Sequence, residues 1–127
     1  MRNFDPQSPL IFIHVPKTAG ISVRNVMESW FPDRFYRHYY NEAAGGMPEL
    51  LPLKSEFFLN NPPVIYGHFN KFRGFGIEDY YPEVSQFVTI LRDPFEVAVS
   101  NYFFVRKVSK NWKRVLKFFR IWRSLSF

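Results

Sequence analysis

The segment from Leu10 to Ser22 constrains the fold of this chain more than any other. Leu10, Ile11, Phe12, Ile13, His14 and Val15 form a short, nearly continuous apolar run rich in β-branched residues. That pattern suits a strand buried on both faces of a parallel sheet. Pro16 removes a backbone donor and ends the run. Lys17, Thr18, Ala19 and Gly20 make a tight loop. Residues 21–31 then read as a helix, with Val23, Val26, Met27 and Trp30 on one face at three- and four-residue spacing. Pro32 and Asp33 stop it.

The remaining chain repeats this alternation. Residues 34–40 alternate weakly and read as a second strand. Residues 41–48, with Gly45 and Gly46, read as a loop, and residues 49–59 as a helix disturbed near Pro52. Asn60, Asn61, Pro62 and Pro63 make a clear break. Val64, Ile65 and Tyr66 form a short strand running into Gly67, His68 and Phe69. Residues 71–76 read as a loop with two glycines. Residues 86–91 are a further buried-strand candidate, ending at Arg92, Asp93 and Pro94. Asp93 is an N-cap and Pro94 a first-turn proline, so a helix is expected to about residue 108. Residues 110–127 read as a basic amphipathic tail, helical over 111–125.

Strand, loop and helix in this order predict an α/β fold with a mainly parallel sheet flanked by helices. Ligands of such sheets bind at the carboxyl ends of the strands. Lys17, His68 and Arg92 each lie just past a predicted strand, so three strands would aim functional groups at one edge.

At 127 residues the chain is expected to be one domain with a sizeable core. Aromatic residues make up 20%, which points to an aromatic core or to aromatic surface awaiting a partner, such as a second copy of the chain. The net charge of +6 favours anionic partners. Much of it comes from the tail: from Val97 onward there is no Asp or Glu, while Arg106, Lys107, Lys110, Lys113, Arg114, Lys117, Arg120 and Arg123 follow. The absence of Cys excludes disulfides, thiolate catalysis and Cys-based zinc sites. No apolar run approaches the roughly 20 residues of a membrane helix, and the first nine residues carry no secretory pattern. The expected location is cytoplasmic.

A loop that leads into a helix offers unpaired N–H groups and the positive end of the helix dipole, an anion site. Lys17 adds a charge, Thr18 and Ser22 add hydroxyls, and Gly20 admits close backbone approach. A nucleoside-triphosphate loop has its Lys after the last Gly and another Gly upstream. Here Lys17 precedes Gly20 and no upstream Gly exists, which argues against an ATPase or kinase. A capped helix with a surface Lys explains the same residues. In the second segment, residues 90–103, Arg92 at a strand end and Ser100 about two turns into the next helix could share one phosphate. An Arg92–Asp93 surface arrangement with Ser100 facing solvent is the alternative.

Together the two segments resemble the sulfotransferases that use 3′-phosphoadenosine 5′-phosphosulfate (PAPS). Residues 12–20 look like the family's 5′-phosphosulfate loop, and residues 88–104, with Arg92, Asp93, Pro94, Ser100 and Tyr102, look like its 3′-phosphate motif. The similarity is closest to the Golgi-type carbohydrate branch, including the uronyl 2-O-sulfotransferases, and runs over about residues 10–104. Tyr66, Gly67, His68 and Phe69 resemble the segment where the 2-O branch places a catalytic His.

The resemblance implies a P-loop-like sheet, PAPS as sulfuryl donor with 3′-phosphoadenosine 5′-phosphate (PAP) as product, no metal, and a carbohydrate or other hydroxyl acceptor. Lys17 would contact the phosphosulfate. The backbone of Thr18, Ala19, Gly20 and Ser22, with the Ser22 hydroxyl, would wrap the 5′-phosphate. Arg92 and Ser100 would hold the 3′-phosphate. His68 would take the acceptor proton, work suited to a base that titrates near neutrality.

By itself His68 fits equally a structural histidine beside a needed glycine. His14 reads as a buried histidine with a backbone partner, and His38, among Tyr36, Tyr39 and Tyr40, as part of an aromatic cluster. Three departures stand out. Ile21 replaces a common Thr or Ser, Val97 replaces a frequent second Arg, and family domains are considerably longer. An incomplete domain is therefore expected, either a natural short form or a truncated product. An inactive remnant that binds PAPS, PAP or glycan is the alternative function. A nucleic-acid or anionic-membrane binder acting through the tail has charge as its only support.

Overall fold

The computed structural model describes residues 4–41 and 46–108. The predicted tail helix over 110–127 lies outside the described residues, as does Gly45. Four strands form one sheet: β1 (Leu10–Ile13), β2 (Phe35–His38), β3 (Val64–Gly67) and β4 (Gln86–Thr89). Their order is β2-β3-β1-β4 and every pairing is parallel. Helices α1 (Gly20–Trp30), α2 (Glu56–Asn60), α3 (Ile77–Tyr80) and α4 (Pro94–Val108) alternate with them. The chain is thus α/β with an all-parallel sheet flanked by helices. It divides into two units, residues 1–91 and 92–127. No helix of the described residues is long and apolar enough to cross a membrane.

The alternation of side chains along each strand divides the core of the first unit. Leu10, Phe12, Val64 and Tyr66 pack on one face with Met27 of α1, joined by Val23, Phe31, Phe35 and Tyr39. Ile11 and Ile65 pack on the other with Leu53, Tyr81 and Val84. The connection from β1 to β2 passes β3, whereas that from β3 to β4 passes β1 in the opposite direction. Crossovers of one hand that run in opposite directions cover opposite faces, as these two clusters do. β1 and β3 are consequently buried from both sides.

Several expectations are corrected. β1 ends at Ile13, two residues early, and β2 is shorter than 34–40 at both ends. The helix expected over 49–59 is only Glu56–Asn60, begun by Ser55, whose Oγ accepts from the Phe58 N–H. Pro52, inside the expected span, lacks the N–H that a longer helix would need. Val26 and Trp30 of α1 are exposed, and only Val23 and Met27 of the expected stripe reach the core. β4 is not buried: it is the sheet's edge, and Phe87 and Val88 are exposed on its two faces. Residues 71–76 hold a single 3₁₀ turn, Lys71–Arg73, closed by Gly74 in the left-handed region.

In the second unit α4 begins as expected. The Asp93 carboxylate accepts from the Phe95 and Glu96 N–H groups, and Pro94 occupies the first turn.

His38 ends β2 and is 1% exposed. Its ring stacks on Phe69 at 4.4 Å and meets Phe75, Tyr80 and Tyr81. These rings take the place of the expected cluster of Tyr36, Tyr39 and Tyr40. Neither ring nitrogen makes a well-formed hydrogen bond. Burial holds the ring below the usual imidazole range, and the opposing pull of the Phe75 backbone is smaller. The unfolded chain takes up this proton near pH 6.5 and the folded chain resists it. Stability is therefore complete above about pH 6.5 and is lost as pH falls from there toward the folded pKa. Urea midpoints are expected to drop between about pH 7.5 and pH 5, with a shallower drop in His38→Phe. Parallel profiles for the two proteins would remove His38 as a cause.

Candidate functional site at the carboxyl ends of β1 and β3

Because β1 and β3 are parallel neighbours, the loops that follow them leave the same edge of the sheet. Their onward connections run in opposite directions, the topology that opens a binding crevice. The loop after β1 carries Lys17 and leads into α1. Its backbone is unusual: Lys17 has φ 68° and Ala19 φ 62°. For residues with a Cβ this left-handed conformation costs about 1–2 kcal/mol each. The Thr18 hydroxyl donates to the Val15 carbonyl at 2.7 Å, and Thr18 is 4% exposed. Its proton therefore braces the loop. Ala19 is the N-cap of α1 and has no side chain able to cap it, and no acid occupies the first turn. A helix start without a side-chain cap, after a left-handed residue, is an anion-attracting backbone concavity. Ser22 and Ile21 on this turn are exposed.

Gly20 serves a purpose the sequence did not reveal. A Cβ there would lie 1.6 Å from His14 Nε2, so the glycine makes room for an imidazole. His14 follows β1, and its N–H donates to the Gly67 carbonyl at 2.8 Å. The ring's partner is not backbone, as expected, but a hydroxyl: His14 Nδ1 is 2.9 Å from Tyr39 Oη. Tyr39 follows β2, so the bond joins chain ends that only the sheet brings together. The Tyr39 ring also packs against Tyr66, with centroids 6.3 Å apart. Tyr66, fully buried in β3, donates its proton to the Gly20 carbonyl at 2.7 Å. Burial raises the pKa of both phenols, so both remain protonated.

His68 stands one residue past β3 and is partly buried. Its Nδ1 lies 2.7 Å from the His14 carbonyl oxygen. A carbonyl only accepts, so Nδ1 carries the proton, and in the neutral ring the lone pair is at Nε2. The two imidazoles stack with centroids 4.5 Å apart, and Tyr39 meets the His68 ring edge-on. Burial lowers the His14 pKa, assisted by His68 and by the Arg24 charge. Arg24, on α1, also acts on Tyr39 and Tyr66, and its Nε is buried without a partner. His14, Tyr39 and Arg24 escaped the sequence reading.

Gly67 is needed for space rather than for φ. A Cβ there would lie 1.8 Å from the His38 carbonyl oxygen. The His68 N–H also donates to that oxygen, at 3.0 Å.

The structure thus brings Lys17, Thr18, Ala19, Gly20 and Ser22 into one loop and helix start, and sets His68 on the neighbouring strand end. Arg92 and Ser100 belong to the second unit. There Arg92 Nε donates to Glu96 Oε2 at 2.7 Å, in place of the Arg92–Asp93 arrangement considered from sequence. Both side chains are about half exposed, so the pair contributes roughly 0–1 kcal/mol and an incoming anion could displace Glu96. Ser100 is four residues beyond Glu96 on α4 and is half-buried. Among the described residues, no group of three or more His, Cys, Asp or Glu side chains is placed to hold a metal ion.

No protein-family model, curated protein or solved structure matches this chain.

Proposed function

We propose that the chain binds PAPS and transfers its sulfuryl group to a hydroxyl of a carbohydrate acceptor, in a P-loop-like fold of the sulfotransferase type. The observation that carries the reading is the pairing of an uncapped helix start beside Lys17 with a histidine of fixed tautomer on the adjacent strand end. The first suits a phosphate and the second a hydroxyl proton. The resemblance of residues 12–20 and 88–104 supplies the nucleotide's identity.

The donor supplies an activated sulfuryl group on a phosphate leaving group. The first-turn N–H groups of α1 would hold the 5′-phosphate, and Lys17 would neutralise the charge that gathers on it as the S–O bond breaks. His68 Nε2 would accept the acceptor's proton as that oxygen bonds to sulfur. Arg92 and Ser100 would hold the 3′-phosphate, with Arg92 exchanging Glu96 for it. Fixed donors and a fixed base suit a reaction governed by positioning and charge.

A second reading, binding without turnover, draws on two observations. Ile21 presents an exposed apolar side chain where the family has a hydroxyl, and the Arg92 charge has an internal partner.

Calorimetric titration of PAP into the full chain tests the site. Micromolar binding is expected, weakened by about tenfold or more in Lys17→Ala and in Arg92→Ala, since a hydrogen bond to a charged group is worth about 1.5–3 kcal/mol. Folded protein that fails to bind PAP would remove both readings. Binding with no sulfate transfer to any glycan would leave the second.

A further inference from the structure

We infer that His14 is a positioning residue for His68: a neutral imidazole whose carbonyl and ring together hold the His68 ring in the tautomer and plane that leave Nε2 free to act as a base. The inference rests on the proposed role of His68 as the proton acceptor.

Its basis is a pair of contacts between the residues that follow β1 and β3. The His14 carbonyl accepts the His68 Nδ1 proton at 2.7 Å. The His14 ring lies under the His68 ring, with a 4.5 Å centroid separation and a 19° interplanar angle. One residue therefore sets both the protonation pattern and the tilt of its neighbour, through its backbone and its side chain.

The neutrality of His14 follows from its own surroundings. Tyr66 spends its proton on the Gly20 carbonyl. Tyr39 Oη is the partner of His14 Nδ1, at 2.9 Å. The other nitrogen, Nε2, packs against Gly20, the first residue of α1. There the positive end of the helix disfavours a second proton. The charged or titratable groups around the ring are Arg24 from α1, Tyr39 after β2, Tyr66 on β3 and His68 after β3. None is an anion that would stabilise an imidazolium at His14.

The consequence is a division of labour between the two histidines. A base must change its charge during the reaction, and its supporting surface must not. A neutral flat ring beneath His68 meets that condition, whereas two exchanging imidazoles 4.5 Å apart would repel whenever both were charged.

The experiment is imidazole ¹⁵N NMR on the full chain, for wild type, Tyr39→Phe, His14→Phe and His14→Ala, with PAP titrated into each sample. In wild type, the His68 ring should carry its single proton on Nδ1 near pH 8. His14 should remain mostly neutral at about pH 6.5, where a free imidazole is half charged. Tyr39→Phe should turn His14 into a mixture of tautomers and leave His68 unchanged. His14→Phe, which keeps a flat neutral ring, should leave His68 with Nδ1 protonated, and His14→Ala should turn His68 into a mixture. A wild-type His14 that is half charged at about pH 6.5, or a wild-type His68 protonated on Nε2, would overturn the inference. So would a His14→Phe protein that behaves like His14→Ala. The wild-type spectra decide it even if a variant does not fold. Failure of PAP to bind, with these spectra as expected, would instead count against the PAPS reading and leave the histidine arrangement standing.

Discussion

Gly67→Ala is expected to cost at least about 3 kcal/mol, the upper end of what overpacking usually costs. In a domain of this size that corresponds to a fall in Tm of roughly 10 °C or more. The added methyl would lie 1.8 Å from the His38 carbonyl oxygen, with the carbonyl carbon at 2.5 Å and the Cα at 2.9 Å. All three are backbone atoms, so no side-chain rotation can relieve the contact. Either β2 and β3 separate at their carboxyl ends or Gly67 moves out of register. Both routes break the bond from the His68 N–H to the His38 carbonyl and disturb the stack of His38 on Phe69. The check is thermal unfolding followed by circular dichroism, beside Gly74→Ala as a control. The Gly74 control has only a distant methyl for a neighbour, at 3.9 Å, but a φ of +76°. It should lose only the cost of the left-handed conformation, about 1–2 kcal/mol. A Gly67→Ala protein as stable as wild type would mean that β2 and β3 do not approach as described.

That contact shows where the sequence stopped being informative. Gly67 was legible as a needed glycine, but the reason lies on another strand, 29 positions away, and register is not written locally. What was legible depended on short-range chemistry. The run from Leu10 to Ile13 is apolar at every position because β1 is covered on both faces. Asp93 and Pro94 fix the start of α4 within one turn. β4 was misread for the same reason that β1 was read well. Phe87, Val88, Ile90 and Leu91 gave the run an apolar look, while Gln86 and Thr89, polar at both ends of β4, are what distinguish this edge strand from β1. The helix expected over 49–59 is cut short at its start, where Pro52 supplies no donor.

The candidate site divides similarly. Lys17 and the start of α1 follow from one contiguous stretch, and His68 stands out beside a strand end. His14 looked like a core histidine because its neighbours in sequence are apolar. Its partners, Tyr39 and His68, come from 25 and 54 residues away. The charge pairing of Arg92 with Glu96 is a four-residue helical spacing. It could have been read from the sequence but was overshadowed by the adjacent Asp93.

Gly20→Ala should affect the site more than the fold. Here the obstacle is a side chain: the new methyl would meet His14 Nε2 at 1.6 Å and the adjoining ring carbons at 2.3 Å. The imidazole must swing away, losing its bond to Tyr39 and its stack on His68. Alternatively the first turn of α1 must lift, breaking the Tyr66 bond to the Gly20 carbonyl. Leaving that buried carbonyl unpaired costs about 1–3 kcal/mol. The second movement displaces the N–H groups proposed to hold the 5′-phosphate, and by that route PAP binding should weaken by about tenfold to a hundredfold. Because a side chain causes the clash, a second substitution should relieve it. Gly20→Ala with His14→Ala is expected to recover PAP affinity to within a few-fold of His14→Ala alone, a coupling typical of residues in direct contact. Calorimetric titration across the four proteins of this double-mutant cycle measures that coupling. Strict additivity would show that His14 and Gly20 act on the loop separately, and the explanation of Gly20 as space for an imidazole would have to be given up.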